Sequence, residues 1–276
     1  MQHKFIPKMT QVSERLNRLS ESATLAMARM SRELKAQGHD VIALSLGEPD
    51  FDTPEFVKEA AKKAVDNNFS HYTPVPGLAE LREAIAEKLK RDNGLDYTPD
   101  QIVASTGAKQ SIANVCMSLL NPGDEVLLPA PYWVSYFEII KLAEGTPIEI
   151  PSSIEADFKV NPEQLEAAIT PNTKLLLFST PCNPSGTVYS KAELEAIAKM
   201  LEKYPDIYVI CDEIYELINF GEPHFSMASI TSIKERVVTV NGVSKGFAMT
   251  GWRVGYIAAP QWIAAACNKI QGQITS

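Results

Sequence analysis

In the N-terminal part of the chain apolar residues recur with helical spacing. Leu16, Leu19, Ala23, Met27, Met30 and Leu34 follow one another in this way and Gly38 closes the run, which predicts an amphipathic helical stretch over 11–38. These positions are expected to pack rather than to bind a ligand. From position 41 the pattern changes. Short apolar runs at 41–46, 102–106, 174–178, 208–211 and 237–240 read as strands, and stretches between them read as helices at 54–65, 78–90, 109–120, 132–143, 162–169 and 191–203. A further helical run begins at Gln261. Alternation of this kind predicts an α/β fold: a mostly parallel sheet with helices on both faces, plus an N-terminal helical element. The mixed charges of Glu80-Leu81-Arg82-Glu83 and Glu87-Lys88-Leu89-Lys90 are those of a solvated helix face. Neither internal repeats nor low-complexity linkers interrupt the pattern.

The polar residues that follow the strands carry the candidate chemistry. Lys245 comes just after the run 237–240, and Arg253 lies eight residues on in a turn flanked by Gly251 and Gly255. A lysine amine can be made nucleophilic enough to hold an aldehyde as an imine, and arginine offers a planar fork to phosphate. Taken singly, each is an ordinary surface residue. Asp212 ends the run 208–211, where an acid in an α/β protein faces the ligand crevice. There it can hold a proton on a pyridine nitrogen, which makes the ring of pyridoxal phosphate (PLP) accept electrons. Tyr215 and Asn183, the latter in the turn Asn183-Pro184-Ser185-Gly186 after the run 174–178, lie within reach of the ring hydroxyl. Gly107-Ala108-Lys109 opens a helix after the run 102–106, and a glycine-led helix start presents free amides to a phosphate. Four strand ends carrying Gly107, Asn183, Asp212 and Lys245 in this order are far more specific than any one of them.

Together these residues resemble the fold-type I, PLP-dependent aminotransferases of class I/II, near their bacterial aspartate-type subgroup. The matching stretches are Leu46-Gly47-Glu48-Pro49-Asp50-Phe51-Asp52-Thr53-Pro54, Tyr72-Thr73-Pro74, Thr106-Gly107-Ala108-Lys109-Gln110, Pro131-Tyr132-Trp133, Asn183-Pro184-Ser185-Gly186, Asp212-Glu213-Ile214-Tyr215 and the run from Ser244 to Tyr256. They cover almost the whole chain. The resemblance implies transamination between an amino acid and a 2-oxo acid, with Lys245, Asp212 and Tyr215 catalytic. It implies phosphate contacts from Ser244, Arg253 and the backbone of Gly107 and Ala108, and stacking of Trp133 on the ring. Without the family, Trp133 reads more readily as a core residue under a helix. Tyr72 resembles a residue that reaches the partner's phosphate across a homodimer with shared active sites. Gly47 resembles the glycine that approaches the substrate α-carboxylate. Lys109, Ser22 and Thr24 resemble the set that meets a distal carboxylate, which favours aspartate and glutamate; helix capping is the plain use of Ser22 and Thr24.

The resemblance divides the chain into 1–45, an N-terminal arm and small-domain segment, and 46–276, the large PLP-binding domain. The C-terminal small domain of the family, which carries an arginine for the α-carboxylate, is expected to be missing from this sequence. Carbon–sulfur lyases share the same machinery, and a cofactor-binding fragment with little activity is a further alternative. The DNA-linked ligand sensors built on this fold carry a basic helix-turn-helix module that the chain does not show.

Composition narrows the reading. A net charge of -8 and a pI near 5.2 argue against nucleic acid as a partner. Cys116, Cys182, Cys211 and Cys267 lie far apart, and Cys116 and Cys211 fall in apolar patterns, so free thiols in a reducing cytoplasm are expected. The histidines His3, His39, His71 and His224 are scattered, none at ligand spacing to a cysteine, and no metal is expected. No targeting or membrane-spanning stretch is read.

Overall fold

The structure, a computed structural model, describes residues 12–21, 23–44, 47–221 and 223–275. Its centre is a seven-stranded sheet in the order β1-β7-β6-β5-β4-β2-β3. The strands are β1 (Ile102–Thr106), β2 (Glu125–Pro129), β3 (Thr146–Ile150), β4 (Thr173–Ser179), β5 (Tyr208–Asp212), β6 (Val237–Gly242) and β7 (Val254–Ala258). Pairing is parallel from β6 through β5, β4 and β2 to β3. Only β7 runs the other way, antiparallel to β1 on one side and β6 on the other. The expected mostly parallel α/β sheet is therefore present.

The helices are α1 (Glu14–Asn17), α2 (Ala23–Ala36), α3 (Glu55–Asp66), α4 (Ala79–Asn93), α5 (Ala108–Leu119), α6 (Ser135–Leu142), α7 (Pro162–Ala167), α8 (Lys191–Leu201) and α9 (Gln261–Ile274), and those from α4 onward cover both faces of the sheet. Side chains alternate across each strand. Leu176, Phe178, Val209 and Cys211 join the core under α4, α7 and α8, while Leu175, Leu177, Ile210, Val238 and Val240 join the core under α5, α6 and α9. Strands buried on both faces explain the near-continuous apolar runs in the sequence.

Three expectations are corrected. The run 11–38 is not one helix: α1 and α2 are separated because Glu138 of α6 accepts the Ser20 backbone N–H at 2.9 Å and Arg18 pairs with Glu144 at 3.1 Å, holding the linker out of the helix. The run at 41–46 is not a strand over 41–44, where Ile42 and Leu44 are 82% and 89% exposed; no strand of the sheet lies beside it. Residues 45 and 46 lie outside the described residues. The helix predicted from 132 begins at Ser135, leaving Pro131, Tyr132 and Trp133 in the preceding turn. Strands β2, β3 and β7 do not stand out in the apolar pattern. Pro147 interrupts β3, which tolerates it as an edge strand, and Gly255 interrupts β7.

Candidate active site

The sheet topology brings the predicted strand ends to one edge. Because β7 is antiparallel to both β1 and β6, those two strands point the same way as β4 and β5. Residues following β1, β4, β5 and β6 therefore emerge together, and so does Arg253, which precedes β7. The register confirms it: Val254 lies opposite Thr106 on β1, and Gly255 opposite Gly242 on β6.

A cradle for an anion forms between β1 and β7. Gly107 is the N-cap of α5 and no side chain caps this end, so the first-turn amides and the positive end of the helix dipole face outward. Gly107 has φ +83°, and a Cβ there would lie 2.1 Å from the Arg253 guanidinium. Only glycine lets the guanidinium lie against the helix end. Arg253 is held there by donating to the Thr250 carbonyl at 2.7 Å and the Thr106 carbonyl at 3.4 Å. A Cβ on Gly255 would lie 2.2 Å from the Ala108 amide nitrogen, so glycine is also required where β7 passes the start of α5. Ser244 is buried in the turn after β6. An uncapped helix start, a guanidinium and a nearby hydroxyl fit a phosphate.

Asp212 lies at the end of β5, 3% exposed, on the side of the sheet that carries α6. Its Oδ2 accepts from the Tyr136 hydroxyl at 2.6 Å and its Oδ1 from the Ile214 backbone N–H at 3.2 Å. Burial raises its pKa to about 6, against the pull of those two hydrogen bonds. The carboxylate is thus ionised at neutral pH, and a cationic N–H brought to it would stabilise that form further.

Tyr136 is a site residue that sequence reasoning missed. It stands three positions after Trp133, and the rings meet edge to face with centroids 5.5 Å apart. A tyrosine one helical turn beyond a candidate stacking residue was the available signal. Lys109 holds its ammonium 4.9 Å from the Trp133 ring centroid.

Lys245 donates from Nζ to the Gly47 carbonyl at 2.5 Å, and its ammonium lies 5.7 Å from the Tyr215 ring centroid. Burial lowers its pKa, Glu48 and Asp212 oppose the shift, and Arg253 reinforces it. The shift brings the amine closer to its neutral, nucleophilic form. Loop 47–53 is fastened over this turn: Thr250 donates to Glu48, Trp252 Nε1 donates to Thr53 Oγ1 at 3.1 Å, and Thr53 donates to the Ala248 carbonyl at 2.7 Å. Beyond Lys245, Asn183 Nδ2 donates to the Tyr215 hydroxyl at 3.2 Å, so these two reach the same point in space from β4 and β5.

The remaining predicted residues stand apart. Tyr72 is 95% exposed and is not brought to the other groups. Thr24 lies in the first turn of α2, and among the described residues no hydrogen bond links it to Lys109; Ser22 lies outside the described residues. Leu19, Ser20 and Glu21, just ahead of them, do line a cavity of about 470 Å³ with Lys109, Tyr132 and Phe137. All four cysteines are free, and three are buried. Among the described residues no helix is long and apolar enough to cross a membrane.

Comparison with known proteins agrees with this geometry. Residues 39–276 match the family model for aminotransferase class I and II. The chain is 47% identical over 270 residues to an aspartate/prephenate aminotransferase of Cereibacter sphaeroides, covering 97% of this chain and 68% of that protein. It is 50% identical over 266 residues to a bifunctional aspartate aminotransferase and glutamate/aspartate-prephenate aminotransferase of Petunia hybrida, covering 96% of this chain and 56% of that protein. Among solved structures, aspartate aminotransferase from Thermus thermophilus with maleate superposes with a TM-score of 0.93 at 44% identity, over 97% of this chain and 69% of that one. The chain thus spans between about half and two thirds of the length of these relatives.

Proposed function

Starting from the chain's membership of the class I and II aminotransferase family, we propose that it is a PLP-dependent aminotransferase, moving an amino group between aspartate or glutamate and a 2-oxo acid. The observation that carries this is the convergence at one sheet edge of a partly desolvated lysine, a buried carboxylate and an uncapped helix start with an arginine laid against it. When bound, PLP supplies an aldehyde that takes up the amino group and a protonated ring that draws electrons from the substrate α-carbon.

The residues divide the work. Arg253, Ser244 and the amides of Gly107 and Ala108 hold the phosphate. Asp212, aimed by Tyr136 and the Ile214 amide, keeps a proton on the ring nitrogen. Asn183 and Tyr215 take the ring hydroxyl, and Trp133 covers a ring face. Lys245 would hold the aldehyde, and its amine would serve as the general base and acid that moves a proton at the substrate α-carbon. Its contact with the Gly47 carbonyl puts that base beside the glycine expected to face the α-carboxylate. Lys109 is the cation for a distal carboxylate, a charge-assisted contact worth about 1.5–3 kcal/mol.

Residues 46–276 form the large domain in this reading and 1–45 the arm. The enzyme is a cytoplasmic homodimer in which Tyr72 of one protomer serves the other's phosphate site, and its 95% exposure leaves it free to do so. Relatives named for prephenate make that ring-bearing oxo acid an acceptor to test, and the aromatic-lined cavity beside Lys109 supports including it.

The test is an absorbance titration of the purified chain with PLP, followed by L-aspartate. A long-wavelength band that forms, then gives way to the absorbance of the aminated cofactor, supports the reading. A band that persists while ammonia or a thiol is released assigns a lyase instead, and no band at all overturns the cofactor.

A further inference from the structure

Alternation along β5 sends the residue after Asp212 to the opposite face of the sheet. The Glu213 side chain is 0% exposed there. Its Oε1 accepts from the Ser226 hydroxyl at 2.7 Å, and His224 Nε2 lies 3.0 Å from its Oε2. The imidazole is 7% exposed, and its Nδ1 has no partner. Three residues further on, Glu216 is paired with the Lys88 ammonium of α4 and accepts from Asn93 Nδ2 at 2.9 Å. Ligand-type atoms of Glu213, Glu216 and His224 all lie within 4.8 Å of one another. The scattered histidines of the sequence conceal this cluster, which the chain assembles from the turn after β5 and the loop that carries His224.

Charge explains the arrangement. Two carboxylates face one permanent cation, Lys88, which already occupies Glu216. One negative charge is left facing the His224 imidazole, which neutralises it when protonated. The cluster also has a mechanical consequence. Glu213 is fixed by its side chain and by its backbone N–H, which donates to the Val240 carbonyl at 2.8 Å; Glu216 is fixed by α4. Tyr215 lies between these anchors, and Asp212 immediately before the first.

We propose that the His224–Glu213 and Lys88–Glu216 pairs are a positioning device for the Asp212–Tyr215 turn, holding its two ring-facing side chains in register from the far face of the sheet. The ring-facing part rests on the function proposed above; the anchoring of the turn does not. His224 makes the device sensitive to pH. Burial pushes the imidazole pKa down, but the hydrogen bond and charge of Glu213, with the charge of Glu216, outweigh burial and the opposing charge of Lys88, and the net shift is upward. A histidine raised in the folded state stabilises it fully below the ordinary value of about 6.5, and that contribution is lost as pH rises through the raised folded value. The Tyr97 and Tyr256 hydroxyls lie in the field of the same carboxylates and stay protonated throughout that range.

The experiment compares wild type with His224→Leu and His224→Gln. Glutamine is neutral at every pH yet can still donate to Glu213. Two readouts are taken between pH 6 and 9: backbone hydrogen exchange over 213–218 in the chain without cofactor, and the dissociation constant for PLP. In wild type, exchange over 213–218 accelerates and PLP affinity falls as pH rises, in each case more steeply than in His224→Gln. His224→Leu exchanges fast here at all pH values while β2 and α8 keep their protection. Unchanged exchange over 213–218 in both variants overturns the proposal, whether or not PLP binds. If His224→Leu does not fold, the pH difference between wild type and His224→Gln decides it. Failure of wild type to bind PLP would count against the proposed function alone, because the exchange measurement still tests the anchor.

Discussion

Helices α5 and α2 both show apolar residues at helical spacing, yet they end in opposite circumstances. In α5, Ile112, Val115 and Cys116 are completely buried, between the sheet and α9. In α2, Leu25, Met27 and Met30 are each more than half exposed, and among the residues whose burial is described only Ala28 is buried. The difference lies in what faces the stripe. Helix α5 sits at the end of β1 and packs on β6 and β7, so its apolar stripe meets a sheet. No sheet lies under α2, and the linker before it is held on α6 by polar contacts. Apolar spacing specifies a helix with a preferred side; long-range topology decides whether that side is covered. The chemistry follows the same division, since the groups that converge are those presented by the sheet.

Several measurements bear on this contrast. The largest effect is expected for Lys245→Ala in the sheet-borne site: loss of the long-wavelength PLP absorbance and at least about a thousandfold loss of transamination, measured by half-reaction with L-aspartate. Retention of both would remove the lysine from the mechanism. Next comes stability. Ile112→Ala in α5 should lower unfolding free energy by about 2–5 kcal/mol, whereas Met30→Ala in α2 should change it by less than about 0.5 kcal/mol. Equal effects in chemical denaturation would mean that α2 is covered in solution.

Tyr136→Phe sharpens the comparison from within the site. It removes a hydrogen bond to a charged group, a loss of about 1.5–3 kcal/mol for the ionised form of Asp212. Asp212 has a folded pKa of about 6, above the ordinary carboxylate value, so the folded state binds its proton more tightly and stability falls as pH rises from that ordinary value through about 6. In Tyr136→Phe the fall should extend to higher pH; in Asp212→Asn it should vanish. Thermal unfolding between pH 4 and 8 reads both, and superimposable curves for wild type and Asp212→Asn would refute the sign. The smallest effect is expected in the arm, where Thr24→Ala should raise KM for aspartate a few-fold and leave kcat unchanged. A fall in kcat alone would argue against its proposed contact.

Much of this arrangement was legible in the sequence. The runs ending at Asp212 and before Lys245 and Asn183 are strands buried on both faces, and such strands announce themselves by unbroken apolarity. Their common edge followed from α/β alternation. What stayed hidden depended on partners remote in the chain. The direction of β7, which explains why Arg253 reaches Gly107, is set by pairing with β1 and β6 and leaves no local mark beyond Gly255. Tyr136 reads as one more apolar position until Asp212 lies beneath it. His224 and Glu213 lie 11 residues apart, a spacing that no single helix or strand would turn into contact. The false strand at 41–46 shows the reverse case: apolar residues with strand-like composition and no neighbouring strand over 41–44 to pair with.

The position of β1 at the edge of the sheet also bears on how the molecule is assembled. Within the described sheet its neighbour is β7, which lies far along the chain. β1 joins the sheet through that pairing, and the wide sequence separation makes the closure slow. Arg253 and Gly107 meet only when it is complete. Under the function proposed above, phosphate affinity would therefore report on the topology itself, registering that β7 has found its place beside β1.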